Sequence, residues 1–243
     1  MNAVAFIIGL LLPDWRGRMV EWFAFWFPRN EHFAWWQVVT YMFMHGGLAH
    51  IFFNMYGLAS FGMLLERQWG TRRFLVFYFL CGIGAGIVHT AISWGEFQTI
   101  QNRLNDAGLD APAIESMLHT GRYAEPGDAA IQSSVVDLYR IYASPMLGAS
   151  GAIYGILVAF GLLHPNAKLA VLFIPVPIAA KYFIPVLIAL DLFSGVTGFS
   201  LFGGGIAHFA HVGGALIGLL LMWHWRNQAR RAAQSGGLRW REG

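Results

Sequence analysis

Six stretches of this sequence are dominated by apolar residues, and their lengths restrict the fold more than any other feature. They are Met1–Leu12, Val38–Leu65, Phe74–Trp94, Leu147–Leu163, Tyr182–Phe193 with some residues upstream of it, and Ile206–Trp225. A helix needs roughly 20 predominantly apolar residues to cross the hydrocarbon of a bilayer. The pattern predicts an all-α polytopic membrane protein, a bundle of six transmembrane helices, in one domain over residues 1–225 with a basic tail at 226–243. Composition agrees, since 56% of the 243 residues are hydrophobic and 12% are charged, about half the charged fraction of a typical soluble domain. Met1–Leu12 is short for a span and has neither the basic n-region nor the cleavage site of a signal peptide. It is expected to be a first span, short or truncated at its start. The single Cys81 excludes an intrachain disulfide and lies within an apolar run, where a small core residue is expected.

The segments between the spans differ in character. Pro13–Trp36 mixes Arg16, Arg18, Glu21 and Arg29 with Trp15, Trp22, Trp26, Trp35 and Trp36. Indole rings prefer the headgroup level, so an interfacial loop is expected over residues 13–36. Residues 95–145 are too polar to span anything and are expected to form a loop outside the membrane. Asp106-Ala-Gly108 and Glu125-Pro-Gly127 mark turns in it, and the pattern around Ala113–His119 allows a short helix. With six spans, the links after the second and fourth and the tail share one side. They hold ten of the 16 basic residues, and the long loop carries seven acidic residues against three basic ones. The positive-inside rule then puts both termini in the cytoplasm and the 95–145 loop on the extracytoplasmic side.

This orientation aligns four polar residues. The second, fourth and sixth spans all run inward, and His50, Asn54, Ser150 and His211 lie in their first turns at one shallow depth. Ser150 follows Gly148 and precedes Gly151; Gly151 and Gly155 form one small-xxx-small pair, and Gly214 and Gly218, just after His211, form another. Such pairs let helix backbones approach closely, near enough for an imidazole to come within about 2.6–3.2 Å of a hydroxyl. A serine near a helix N-terminus also has free backbone N–H groups beside it to stabilise a negative oxygen. The Gly-x-Ser-Gly run alone favours a structural serine, because short glycine motifs are common in membrane helices. His50 and Asn54, spaced i, i+4, share a helix face and can donate to an oxyanion or simply bond between helices. His45 suits a supporting hydrogen bond, and His208 competes with His211 as base. His32, His89, His119, His164 and His224 are expected in loops or at the interface.

Four runs are familiar together. His45-Gly-Gly-Leu-Ala-His50-Ile-Phe-Phe-Asn54-Met, Glu66-Arg-Gln-Trp-Gly70-Thr-Arg-Arg73-Phe, Gly148-Ala-Ser150-Gly151-Ala-Ile-Tyr154-Gly155 and Ala210-His211-Val-Gly-Gly214 resemble the rhomboid family of intramembrane serine proteases. The resemblance covers the chain from about Trp36 to Trp225, in order. It implies a Ser150–His211 catalytic dyad with no third acidic residue, and it places His50, Asn54 and the Ser150 backbone N–H around the oxyanion. It implies that Tyr154 supports the histidine ring, and it gives Glu66 and Arg73 structural roles after the second helix. The 95–145 loop is longer than the family core requires.

The expected activity is therefore intramembrane serine endopeptidase chemistry without a cofactor or metal ion. Substrates are expected to be transmembrane proteins with small or helix-destabilising residues near the cleavage site, reaching the site beside the fifth helix, where Pro185 and Gly195 allow movement. The lipid bilayer is the other expected partner, with no nucleic acid. Without an organelle-targeting extension, the bacterial plasma membrane is the expected location, with the active site opening outward. A transporter predicts polar residues at several depths, and here Asp191 is the main exception to a single layer. A metalloenzyme built on His45, His50, His208 and His211 lacks HExxH and nearby carboxylates. A non-catalytic binder of membrane helices is the remaining rival.

Overall fold

A computed structural model describes residues 1–122, 128–169, 177–199 and 207–238. In hydrocarbon a backbone must satisfy its own hydrogen bonds, which helices do internally, and the described residues are largely helical. In chain order the helices are α1 (Asn2–Leu11), α2 (Pro13–Phe23), α3 (Gln37–Thr40), α4 (Leu48–Trp69), α5 (Thr71–Asp106), α6 (Ala111–Thr120), α7 (Ala129–Ala143), α8 (Ser150–Leu163), α9 (Ala180–Thr197) and α10 (His208–Leu238). A short antiparallel ribbon, Lys168–Leu169 with Ile178–Ala179, precedes α9.

The chain is a polytopic helical membrane protein. Among the described residues α4, α5 and α9 are long and apolar enough to cross a membrane, while α1 and α8 are apolar but shorter. The 14 residues of α8 rise only about 21 Å, and His208 and His211 interrupt the apolar start of α10. The basic tail is helical as far as Leu238, with Arg226, Arg230 and Arg231 exposed; Arg239 and Arg241 lie outside the described residues.

Two compact units make up the chain, the first comprising residues 1–52 and 86–149, the second residues 53–85 and 150–243. The first unit contains the largest departure from expectation, because residues 95–145 are mostly helix. Helix α5 continues past Trp94 to Asp106, and α6 and α7 follow. Gly108 makes the expected turn at φ 94°, and the turn expected at 125–127 lies outside the described residues. Asp110 caps α6 by accepting from the Ala113 N–H at 2.9 Å, and Asp128 caps α7 by accepting from Ala130 at 2.7 Å. The short helix that the pattern around Ala113–His119 allowed is α6, whereas the polar composition concealed α7 and the extension of α5. Phe97, Ile100 and Leu104 on α5, Ile114, Met117 and Leu118 on α6, and Val135, Leu138 and Tyr142 on α7 form one buried core with Phe27.

The expected interfacial loop is equally organised, beginning with the helix α2. Buried Gln37 donates to the His32 and Glu21 carbonyls and accepts from the Ala34 and Trp26 N–H groups. Asn30 donates to the Tyr142 carbonyl at 2.8 Å, Phe25 and Met146 exchange backbone hydrogen bonds, and Arg29 meets Glu115 at 2.7 Å. Trp15, Trp22, Trp35 and Trp36 remain exposed. Leu104 is fully buried in the core of this unit, so Leu104→Ala is expected to destabilise it by about 3 kcal/mol. Thermal unfolding in detergent measures this, and an unchanged midpoint would mean that the three helices do not share a core.

In the second unit α8 is buried from Gly151 through Phe160. A Cβ on Gly214 of α10 would overlap the Gly151 carbonyl of α8, and one on Gly218 would lie 2.7 Å from the Gly155 Cα. The two small-xxx-small pairs therefore face each other, as their spacing suggested. At another position in this unit the Arg73 guanidinium lies over the Trp225 ring at 4.0 Å, beside Trp69, while Glu66 accepts from the Thr71 hydroxyl. Both residues thus make contacts that tie helices and turns together.

Candidate active site

Helix α8 starts at Ser150, two residues after Gly148, whose φ of 122° suits glycine. The Ser150 side chain thus projects from a first helical turn, where N–H groups have no partner within the helix. Glycine packing brings α10 to backbone distance of α8, and His211 sits about one turn before Gly214. The His211 Nε2 lies 2.7 Å from the Ser150 Oγ. The histidine is mostly buried and Ser150 half-buried.

Further side chains of the second unit hold the imidazole. The Tyr154 ring stacks on His211 with centroids 4.3 Å apart and planes 10° from parallel. Asp191, buried on α9, brings Oδ1 to 3.1 Å from His211 Nδ1 and to 2.6 Å from His208 Nδ1, and its Oδ2 accepts from the Tyr154 hydroxyl. His208, the rival base, is thus bonded to Asp191, and it is the His211 ring that meets Ser150. In the sequence Asp191 stood out only as an outlier in depth, with no place in the site. An ionisable residue inside an apolar span was the available signal.

His50 and Asn54 lie one turn apart on α4. Within the first unit the Gly46 N–H donates to His50 Nδ1 at 3.3 Å, so a neutral His50 carries its proton on Nε2 and can donate from there. The His45 and His50 rings meet edge to face at 5.1 Å. Asn54 is buried and belongs to the same unit as Ser150 and His211. Three histidines to which the sequence gave no role make specific contacts: His119 with Glu115, His164 with Gln68 and His224 with Gln228.

Asp191, His208 and His211 could also hold a metal ion, since one ligand atom from each lies within 4.8 Å of the others. The carboxylate missing from the metalloenzyme reading is therefore present. The N···O separations of 2.6 and 3.1 Å are nevertheless those of hydrogen bonds, which account for the cluster without an ion.

Helices able to cross a membrane and a serine hydroxyl within hydrogen-bond reach of an imidazole occur together in this chain. The rhomboid domain family matches residues 32–96 and 126–228, more than half of the chain, and the chain belongs to the rhomboid family. It is 35% identical over 100 residues to Rhomboid protein 1, mitochondrial, of Saccharomyces cerevisiae, a match covering 40% of this chain and 28% of the yeast protein. It is 39% identical over 59 residues to Rhomboid protease GluP of Bacillus subtilis, covering 24% of this chain and 12% of that protein. With the Presenilin-associated rhomboid-like protein, mitochondrial, of Bos taurus it shares 27% identity over 178 residues, 73% of this chain and 34% of the relative. The chain thus spans about a third or less of these relatives' length. A plant relative is named as inactive. Mitochondrial relatives stand beside the bacterial one, so the similarity does not favour the bacterial plasma membrane expected from the sequence; the multi-pass membrane reading stands.

Proposed function

We propose that this chain is an intramembrane serine endopeptidase that hydrolyses peptide bonds in or near transmembrane segments of membrane proteins. The observation that carries this reading is the 2.7 Å approach of His211 Nε2 to Ser150 Oγ. Ser150 attacks the carbonyl as His211 takes its proton; His211 passes that proton to the leaving amine, and water then releases the acyl group. The first-turn N–H groups of α8 stabilise the oxyanion, and the likeness of the His45–Met55 run to the rhomboid family supports the same role for His50 and Asn54. Tyr154 keeps the imidazole plane fixed.

A transmembrane helix hides its carbonyls in its own hydrogen bonds, so the substrate must unwind locally. Small or helix-destabilising residues near the cleavage site serve that end, and access runs beside α9, where Pro185 lies inside the helix and has no N–H to donate to its ladder. The site opens outward from the membrane, with both termini in the cytoplasm. The test is incubation of the purified protein with a fluorophosphonate probe and a synthetic transmembrane substrate. Ser150→Ala is expected to abolish both labelling and cleavage. Cleavage by Ser150→Ala at a rate near that of the wild type would overturn the proposal, as would a wild-type protein that neither labels nor cleaves, the behaviour of a non-catalytic binder.

A further inference from the structure

We propose that Asp191 acts as a positioning residue that extends the Ser150–His211 pair into a hydrogen-bonded chain of three. The inference rests on the reading of Ser150 and His211 as nucleophile and base, and it departs from the dyad without an acidic member that the family resemblance implied. A carboxylate inside a membrane protein is costly unless it is paired and fully hydrogen-bonded. Asp191 meets that condition with three partners: His208 and His211 at Oδ1, and Tyr154 at Oδ2.

The chemistry of these atoms fixes the proton. An ionised carboxylate only accepts, so His211 must donate from Nδ1–H, and its Nε2 presents a lone pair to the Ser150 hydroxyl at 2.7 Å. This is the tautomer that a general base requires. When His211 takes the serine proton it becomes an imidazolium, and the carboxylate 3.1 Å from Nδ1 stabilises the new charge without itself taking a proton. His208 Nδ1 donates to the same oxygen and holds the carboxylate in place. Tyr154 acts twice, stacking on the base and bonding the acid. Ring plane, ring rotation and proton position are thereby set by residues of α8, α9 and α10.

The test uses the full chain in detergent with the synthetic transmembrane substrate. Asp191→Asn is expected to lower kcat by about 100-fold or more with KM within about twofold, because an asparagine amide can donate to Nδ1 and move the proton to Nε2. An Asp191→Asn protein with wild-type kcat, beside an inactive Ser150→Ala, would overturn this inference and leave the proposed function standing. An active Ser150→Ala would overturn both. Loss of wild-type activity on adding EDTA would instead assign Asp191 to a metal site and overturn the positioning role. A second measurement does not depend on the variant folding. The ring ¹⁵N resonances of His211 in the wild-type protein, assigned by their loss in His211→Gln, are expected to report protonation at Nδ1; protonation at Nε2 overturns the inference.

Discussion

Removing both Ser150 and His211 is expected to cost no more activity than removing either alone. In the proposed mechanism the hydroxyl is a poor nucleophile until the imidazole takes its proton, and the imidazole has nothing to activate without the hydroxyl. Residues that act as a unit in this way lose function together, and each single substitution should lower kcat by about 10⁵- to 10⁶-fold. Single-turnover cleavage of the synthetic transmembrane substrate by Ser150→Ala, His211→Ala and the double variant measures the cycle. Losses that add would mean that the 2.7 Å approach between the two side chains is not the catalytic interaction. Residual cleavage common to all three variants would measure what the oxyanion donors achieve unaided.

Gly214→Ala is expected to have the largest effect on folding. The atom that clashes is the Cβ itself, and what it meets is the Gly151 backbone carbonyl, which cannot rotate aside as a flexible side chain can. The helices α8 and α10 must separate, and the approach of His211 to Ser150 goes with them. Overpacking typically costs about 1–3 kcal/mol; a backbone clash should exceed that and reach about 4 kcal/mol. Gly95→Ala is the matching control, since a Cβ there meets nothing within 4 Å and alanine is the better helix former by up to about 1 kcal/mol. Thermal unfolding of both variants in detergent, with probe labelling alongside, tests the contrast. Equal midpoints would remove the glycine crossing as the basis of the site.

The residues that carry recognisable spacing were legible in the sequence. Gly151, Gly155, Gly214 and Gly218 announced a close helix crossing, and Ser150 and His211 stood beside it. Asp191 was not legible in that way, because its role depends on the rotation of α9, which neither hydropathy nor charge specifies. In residues 95–145 the turn at Gly108 and a short helix around Ala113–His119 were legible, but α7 was not, for a different reason. The charges of the stretch outweighed an apolar stripe that is visible once sought, with Ile131, Val135, Leu138 and Tyr142 recurring at helical intervals, and Asp128 sat in front of it as a cap. Hydropathy averaged over a window reports whether a segment suits lipid; it says nothing of whether a polar segment folds.

The three helices that converge on Asp191 have a consequence for timing. The acid belongs to α9, the helix beside which substrate is proposed to pass, while the groups it orders belong to α8 and α10. Displacing α9 far enough to admit a substrate helix would carry the carboxylate away from His211 and leave the base without its orienting partner. In the proposed mechanism an open protein would then be an idle one, and bond cleavage would wait for α9 to return.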